Sequence, residues 1–163
     1  MPQKNACTSA ADDAKQALAR QAILDTIPLS IAVIPWGILT GALAIQAGFS
    51  AIQAQIMSLI VFAGAAQLSG ITLLAAGASF TSIFASTFVI SSRHLLYSVT
   101  FRQHVETLPL GSRLVIGFLL TDEMFAVSEA HSKLSGSFSA KFAIISGVTF
   151  YLFWNLATLV GIV

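Results

Sequence analysis

From Thr26 to Ser92 the chain runs without a single Asp, Glu, Lys or Arg, through Ile, Leu, Val, Phe, Ala and Gly in long neutral blocks. Water-exposed helices need a charged face and a bilayer penalises each buried charge, so this stretch reads as several membrane spans. Residues 1–26 read as a tail. Ser9 and Asp12 stand at capping-box spacing, and Lys15 and Arg20 follow, which predicts a short helix before the membrane ending near Pro28.

A first span is predicted over Ile27–Gln46, kinked at Pro35. Gly37, Gly41, Ala44 and Gly48 recur every three or four residues along it, a small-residue seam that lets a second helix approach closely. After a tight connection at Gly48, Phe49 and Ser50, a second span is expected over Ala51–Ala76, tilted or broken between Phe62 and Gly70, where small residues crowd around Gln67. Gly77 and Ala78 then turn the chain.

Ser79 to Thr100 predicts a third span. At about 100° per residue, Ser79, Ser82, Ser86, Arg93, Tyr97 and Thr100 share one narrow face, with Phe84, Phe88 and Leu95 opposite. Such a stripe belongs against another helix or a wet cavity. A polar loop is expected over Phe101–Gly111, a fourth span over Leu110–Ser128 containing Asp122 and Glu123, a second polar loop over Glu129–Lys141, and a last span from Phe142 to Val163. The fold class is therefore an all-α integral membrane protein of about five transmembrane helices, forming one transmembrane domain over residues 27–163. With five crossings, a cytoplasmic N-terminus places Lys4, Lys15, Arg20, Lys133 and Lys141 inside and Arg102 and Arg113 outside, the arrangement that the positive-inside rule favours. If the second segment re-enters instead of crossing, the later helices invert.

Composition sharpens this picture. Hydrophobic residues make up 56% and charged residues 9%, against about a quarter charged in soluble domains. A net charge of +1 with scattered basic residues points to no nucleic-acid partner. Cys7, the single cysteine, excludes an internal disulfide, and the N-terminal region lacks the pattern of a cleaved signal peptide. His94, His104 and His131 have no ligand spacing, and neither a nucleophile elbow nor a Walker A loop occurs, so no metal, cofactor or enzyme activity is expected.

Arg93, Asp122 and Glu123 are the costly groups, at about 2.5–3.5 kcal/mol each for an ionised side chain at the centre of a span. An ion pair between Arg93 and one acid is expected. Asp122 and Glu123 point about 100° apart, so one is left over, either for proton exchange or for a structural bond. Gln67 suits either a helix-to-helix hydrogen bond or the polar end of a small solute. His94 and Tyr97 can meet on one side of their helix. Asn155 and Thr158 read as helix-packing polar residues, and Trp36, Tyr151 and Trp154 as ordinary membrane aromatics.

Four blocks in order carry a resemblance: Ile34-Pro35-Trp36-Gly37 with Gly41-Ala42-Leu43-Ala44, then Phe62-Ala63-Gly64-Ala65-Ala66-Gln67, Arg93-His94-Leu95-Leu96-Tyr97, and Leu120-Thr121-Asp122-Glu123-Met124-Phe125. The chain resembles the AzlC family, the larger membrane subunits of bacterial branched-chain amino-acid exporters. The resemblance implies a multi-pass protein of the bacterial inner membrane that exports valine, leucine and isoleucine with a small AzlD-like membrane subunit. It places Gln67, Arg93, His94, Tyr97, Asp122 and Glu123 at the family's motif positions, as a substrate pathway coupled to a proton on Asp122 or Glu123. Family members continue for further membrane segments, which this chain is expected to lack. The alternative expectation is a non-transporting scaffold subunit of a larger complex.

Overall fold

The computed structural model describes the backbone of residues 2–163 and side chains from Asp12 onward. The expectations placed on Lys4, Cys7 and the Ser9 cap fall outside the described side chains. Eight helices form among the described residues: α1 (Pro2–Gln46), α2 (Ala51–Val61), α3 (Gly64–Ala75), α4 (Phe80–Ser91), α5 (Arg93–Val105), α6 (Leu110–Leu119), α7 (Asp122–Ser135) and α8 (Ala140–Ile162). Two, α1 and α8, are long and apolar enough to cross a membrane.

The predicted end of a first helix near Pro28 does not occur. α1 passes through both Pro28 and Pro35, because its face from Ala22 to Ala44 is held against α8 and packing outweighs the local cost of proline. That face is made of small residues: Ala22, Thr26, Ser30, Gly37, Thr40, Gly41 and Ala44 are all buried. Its three hydroxyls bond back to carbonyls one turn earlier, at Ala22 (2.7 Å), Thr26 (3.0 Å) and Trp36 (2.8 Å), so they enter the seam already satisfied. Backbone meets backbone there. A Cβ added at Gly37 would lie 2.6 Å from the Ala157 Cβ, one at Gly41 would strike the carbonyl of Thr158, and one at Gly161 the carbonyl of Ile38. Gly48, expected in the same seam, instead turns the chain with φ +89°.

Ala22 packs with Phe142, and Gly37 meets Ala157, so α1 and α8 run parallel. From Ala22 to Ala44 the shared seam is roughly 33 Å long at 1.5 Å per residue, about the thickness of the hydrocarbon layer.

Against this packed pair of pillars sit two helical hairpins. The chain leaves helix at Phe62 and Ala63 and then doubles back. Ala54 near the start of α2 and Ile71 near the end of α3 join one cluster with Ala44, and Ile162 packs against it. The second hairpin, α6–α7, breaks at Leu120 and Thr121, both extended, and enters from the opposite end. Leu108 before it and Phe138 after it both pack on a cluster formed by Phe101, Ile116, Leu120, Met124 and Ala143. The tips converge at mid-height, where Phe62 and Leu119 share a cluster with Phe150 and Trp154.

The helices also extend past their predicted loops. α4 and α5 meet at Ser92, which interrupts the expected single helix and its stripe. Phe101, placed by sequence in a watery loop, is buried against Phe125 and Phe138 (ring centroids 5.2 and 5.1 Å). His104 stacks on Phe138 at 4.9 Å. These contacts bring Arg102 and Arg113 to the same end of the molecule as Lys133 and Lys141, not the opposite end as expected, because each hairpin returns to the end it came from.

Candidate functional site

The site begins with two broken helices. At the first break Phe62 takes a left-handed conformation (φ 38°, ψ 47°), normally glycine's territory. Its ring is held by Tyr151, edge-on at 4.8 Å, and by Phe118 and Phe150 at 6.0 Å each. The glycine next to it has another duty: a Cβ on Gly64 would sit 2.5 Å from the Trp154 indole, so Gly64 lets α3 begin directly on that ring. α3 has no side-chain cap, and its first backbone bond runs from the Gln67 N–H to the Ala63 carbonyl at 2.8 Å. The amides of Gly64, Ala65 and Ala66 are thus left without intrahelical acceptors.

Across from it, Thr121 caps α7 by accepting from the Met124 N–H at 3.3 Å, and Asp122 and Glu123 occupy the first turn. The helix dipole favours negative charge at that position. Opposite stands Arg93, the first residue of α5, whose Nη1 lies 2.5 Å from Asp122 Oδ2. This is the ion pair that the sequence led us to expect, formed between α5 and the tip of a hairpin and not between two continuous spans. It is incompletely satisfied: Asp122 Oδ1 is buried with no well-formed hydrogen bond among the described residues.

These elements enclose a cavity of about 410 Å³, within the range of small-molecule sites. Its polar wall is Arg93, His94, Asp122 and Glu123, with Gly64 and Ala65 of the α3 start beside them. Its apolar wall is Val33 and Trp36 from α1, Phe62 and Leu68 from the first hairpin, and Phe150 and Trp154 from α8. A second cavity of about 470 Å³ lies on the far side of the α3 start, lined by Ala63, Gln67, Phe84 and Phe88 among others.

Four of the six expected pathway residues, Arg93, His94, Asp122 and Glu123, therefore line one cavity. Gln67 does not reach it. Its Oε1 accepts the Trp154 indole N–H at 3.2 Å, fixing the ring that forms the cavity wall, and the residue is 1% exposed. Tyr97 is not in the cavity wall but stands directly behind it, stacked on Phe125 at 4.5 Å and edge-on to His94 at 5.9 Å, with its hydroxyl turned toward the Asp122 carboxylate. His94 is in turn tied by Nδ1 to the Ser91 carbonyl at 3.0 Å.

Sequence reasoning missed the aromatic half of the site. Trp36, Trp154 and Tyr151, read as ordinary membrane aromatics, line the cavity or brace it; the Tyr151 hydroxyl donates to the Leu59 carbonyl at 3.0 Å, satisfying an acceptor at the end of α2. Asn155 and Thr158 pack helices as expected, bonding to Gln55 and Ser58 of α2, each at 3.2 Å. A useful signal was the Ala-Gly-Ala-Ala run itself: small residues without a cap after a helix leave backbone donors free.

The AzlC protein family matches residues 28–163. An uncharacterized membrane protein of Archaeoglobus fulgidus is 37% identical over 70% of this chain and 50% of its own length. Inner membrane protein YgaZ of Escherichia coli is 33% identical over 65% of this chain and 44% of its own. An uncharacterized membrane protein of Helicobacter pylori is 27% identical over 87% of this chain and 62% of its own. The chain spans about half the length of the first two relatives. No solved structure matches.

Proposed function

This chain belongs to the AzlC family of membrane transport proteins, and on that premise we propose that it exports small hydrophobic amino acids, valine, leucine and isoleucine, as the large subunit of a pair with a small AzlD-like membrane protein. The cavity between the hairpin tips carries the reading. Discontinuous helices whose ends meet at mid-membrane are where carriers bind solute, because free backbone groups there recognise charge while the surrounding side chains exclude water. An aromatic wall facing an Arg93–Asp122 wall offers one surface for an aliphatic side chain and another for its charged end.

Glu123 lines the same cavity and forms no ion pair among the described residues. We assign it the coupling proton, with Asp122 retained by Arg93. In proteoliposomes holding both subunits, a pH gradient should drive leucine flux, and Glu123→Gln should leave downhill exchange while abolishing the response to the gradient. Absence of leucine, valine or isoleucine flux in the complete complex would remove the assignment.

The membrane topology that follows has three crossings, α1, α4–α5 and α8, with α2–α3 and α6–α7 as re-entrant hairpins from opposite sides. All described basic side chains except Arg93 then gather at one end, which the positive-inside rule makes cytoplasmic. In a Cys7→Ser background, an impermeant maleimide added to intact cells should label Ala78→Cys, and Glu106→Cys should react only after the membrane is opened. Five full crossings with the same cytoplasmic N-terminus demand the reverse pattern.

A further inference from the structure

The ion pair in the cavity is built in an unusual way for a purely structural one. Arg93 presents five N–H donors, and the only side-chain partner among the described residues is one Asp122 oxygen; the rest of the guanidinium, with 43% of the side chain exposed, faces the cavity. Asp122 is also under-used: its other oxygen is buried and makes no well-formed hydrogen bond among the described residues, although the Tyr97 hydroxyl approaches the carboxylate. A buried carboxylate oxygen without a full hydrogen bond is costly, so a state of the site that gives both groups better partners is favoured over this one.

We infer that Asp122 is the resident stand-in for a ligand carboxylate, and that an α-amino acid zwitterion binds by splitting the pair: its carboxylate takes Arg93 and its ammonium takes Asp122. This rests on the transport reading above. Charge bookkeeping favours the exchange, because a zwitterion supplies one negative and one positive group and leaves neither member of the pair unpaired in a low-dielectric site. The free amides of Gly64 and Ala65, at the positive end of α3 and lining the same cavity, add donors on the carboxylate side. A simple acid would strand Asp122, and a simple amine would strand Arg93. The site therefore selects for a free carboxylate and a free ammonium on one small molecule, before the aliphatic part is read.

The molecule carries its own probe. Trp36 and Trp154 are its two tryptophans, and both line the cavity. Ligand entry is measured as a change in tryptophan fluorescence with the full chain and its small partner in lipid nanodiscs, using L-leucine, 4-methylpentanoate (no ammonium) and 3-methylbutylamine (no carboxylate). Wild type should bind leucine at least tenfold more tightly than either analogue, about the worth of one charge-assisted hydrogen bond. Asp122→Asn removes both the competitor for Arg93 and the partner of the ammonium, so 4-methylpentanoate should gain about tenfold while leucine weakens. Arg93→Gln should invert this in favour of 3-methylbutylamine. Parallel weakening of all three ligands by both substitutions would mean that the pair is structural and would overturn the inference. The wild-type ranking tests it without any variant: if leucine binds and is transported but the three ligands bind equally, the exchange is wrong and the transport reading stands. If leucine neither perturbs the tryptophans nor moves in flux, the transport reading falls and takes the exchange with it.

Discussion

Gly41→Val is expected to destabilise the protein by on the order of 3 kcal/mol, the upper end of overpacking effects, and to leave little folded protein after extraction. A side chain at Gly41 would strike main-chain atoms of Thr158, Gly161 and Ile162, and backbone cannot rotate away as a flexible side chain can. Two parallel helices would have to move apart along the whole seam. In a membrane this matters more than in water, since helix association there depends on close packing and not on escape from solvent. Gly117→Ala is the control: it lies inside α6 with nothing within 4 Å of the added carbon, so it should be neutral or stabilise by up to about 1 kcal/mol through helix propensity. Thermal unfolding of both variants in the same detergent is the measurement. Equal melting temperatures would show that the seam does not bear on stability.

Phe62→Ala should cost about 2 kcal/mol and loosen both hairpin tips together. The ring is buried between Phe118 of α6 and Phe150 and Tyr151 of α8, so it clamps the tip of one hairpin to the other and to a pillar. The magnitude is placed below the usual range for losing a buried Phe because lipid already solvates apolar groups, which leaves mainly the loss of contacts. Phe62→Gly should be less harmful than Phe62→Ala by about 1 kcal/mol, since glycine alone relieves the left-handed backbone. That inverted order is the signature of a strained turn held by its own side chain. Hydrogen exchange should quicken at Gly64–Leu68 and also at Leu119–Glu123; quickening confined to the first segment would mean that the hairpins are independent.

How far the sequence carried this picture depends on what each residue's neighbours were. The Gly37 and Gly41 seam was legible because small residues at helical spacing have one obvious use, and the Arg93–carboxylate pair because lone charges in an apolar chain must find each other. The break near Phe62 was legible as a weak point, but glycine suggested where and the turn fell on a phenylalanine, whose conformation is fixed by aromatics from two distant helices. Reversal of direction at each tip was invisible, since an interrupted apolar run has the same composition whether it crosses or returns. Arg102 and Arg113 were misplaced for that reason alone. Gln67, a polar group in an apolar run, reads equally as a solute contact or a helix-to-helix bond, and the partner it meets, Trp154, is one that no local pattern could supply.

Because α1 and α8 lie side by side in the same direction, residues roughly 120 positions apart, such as Gly37 and Ala157, must find each other. No short turn can join parallel neighbours, so everything between them has to be laid down first. During synthesis α1 enters the bilayer with its glycine face bare, and it stays so until α8 emerges from the ribosome. Closure of the seam therefore waits on α8, and a nascent chain that has not yet made it carries an adhesive stripe open to any other membrane helix that passes.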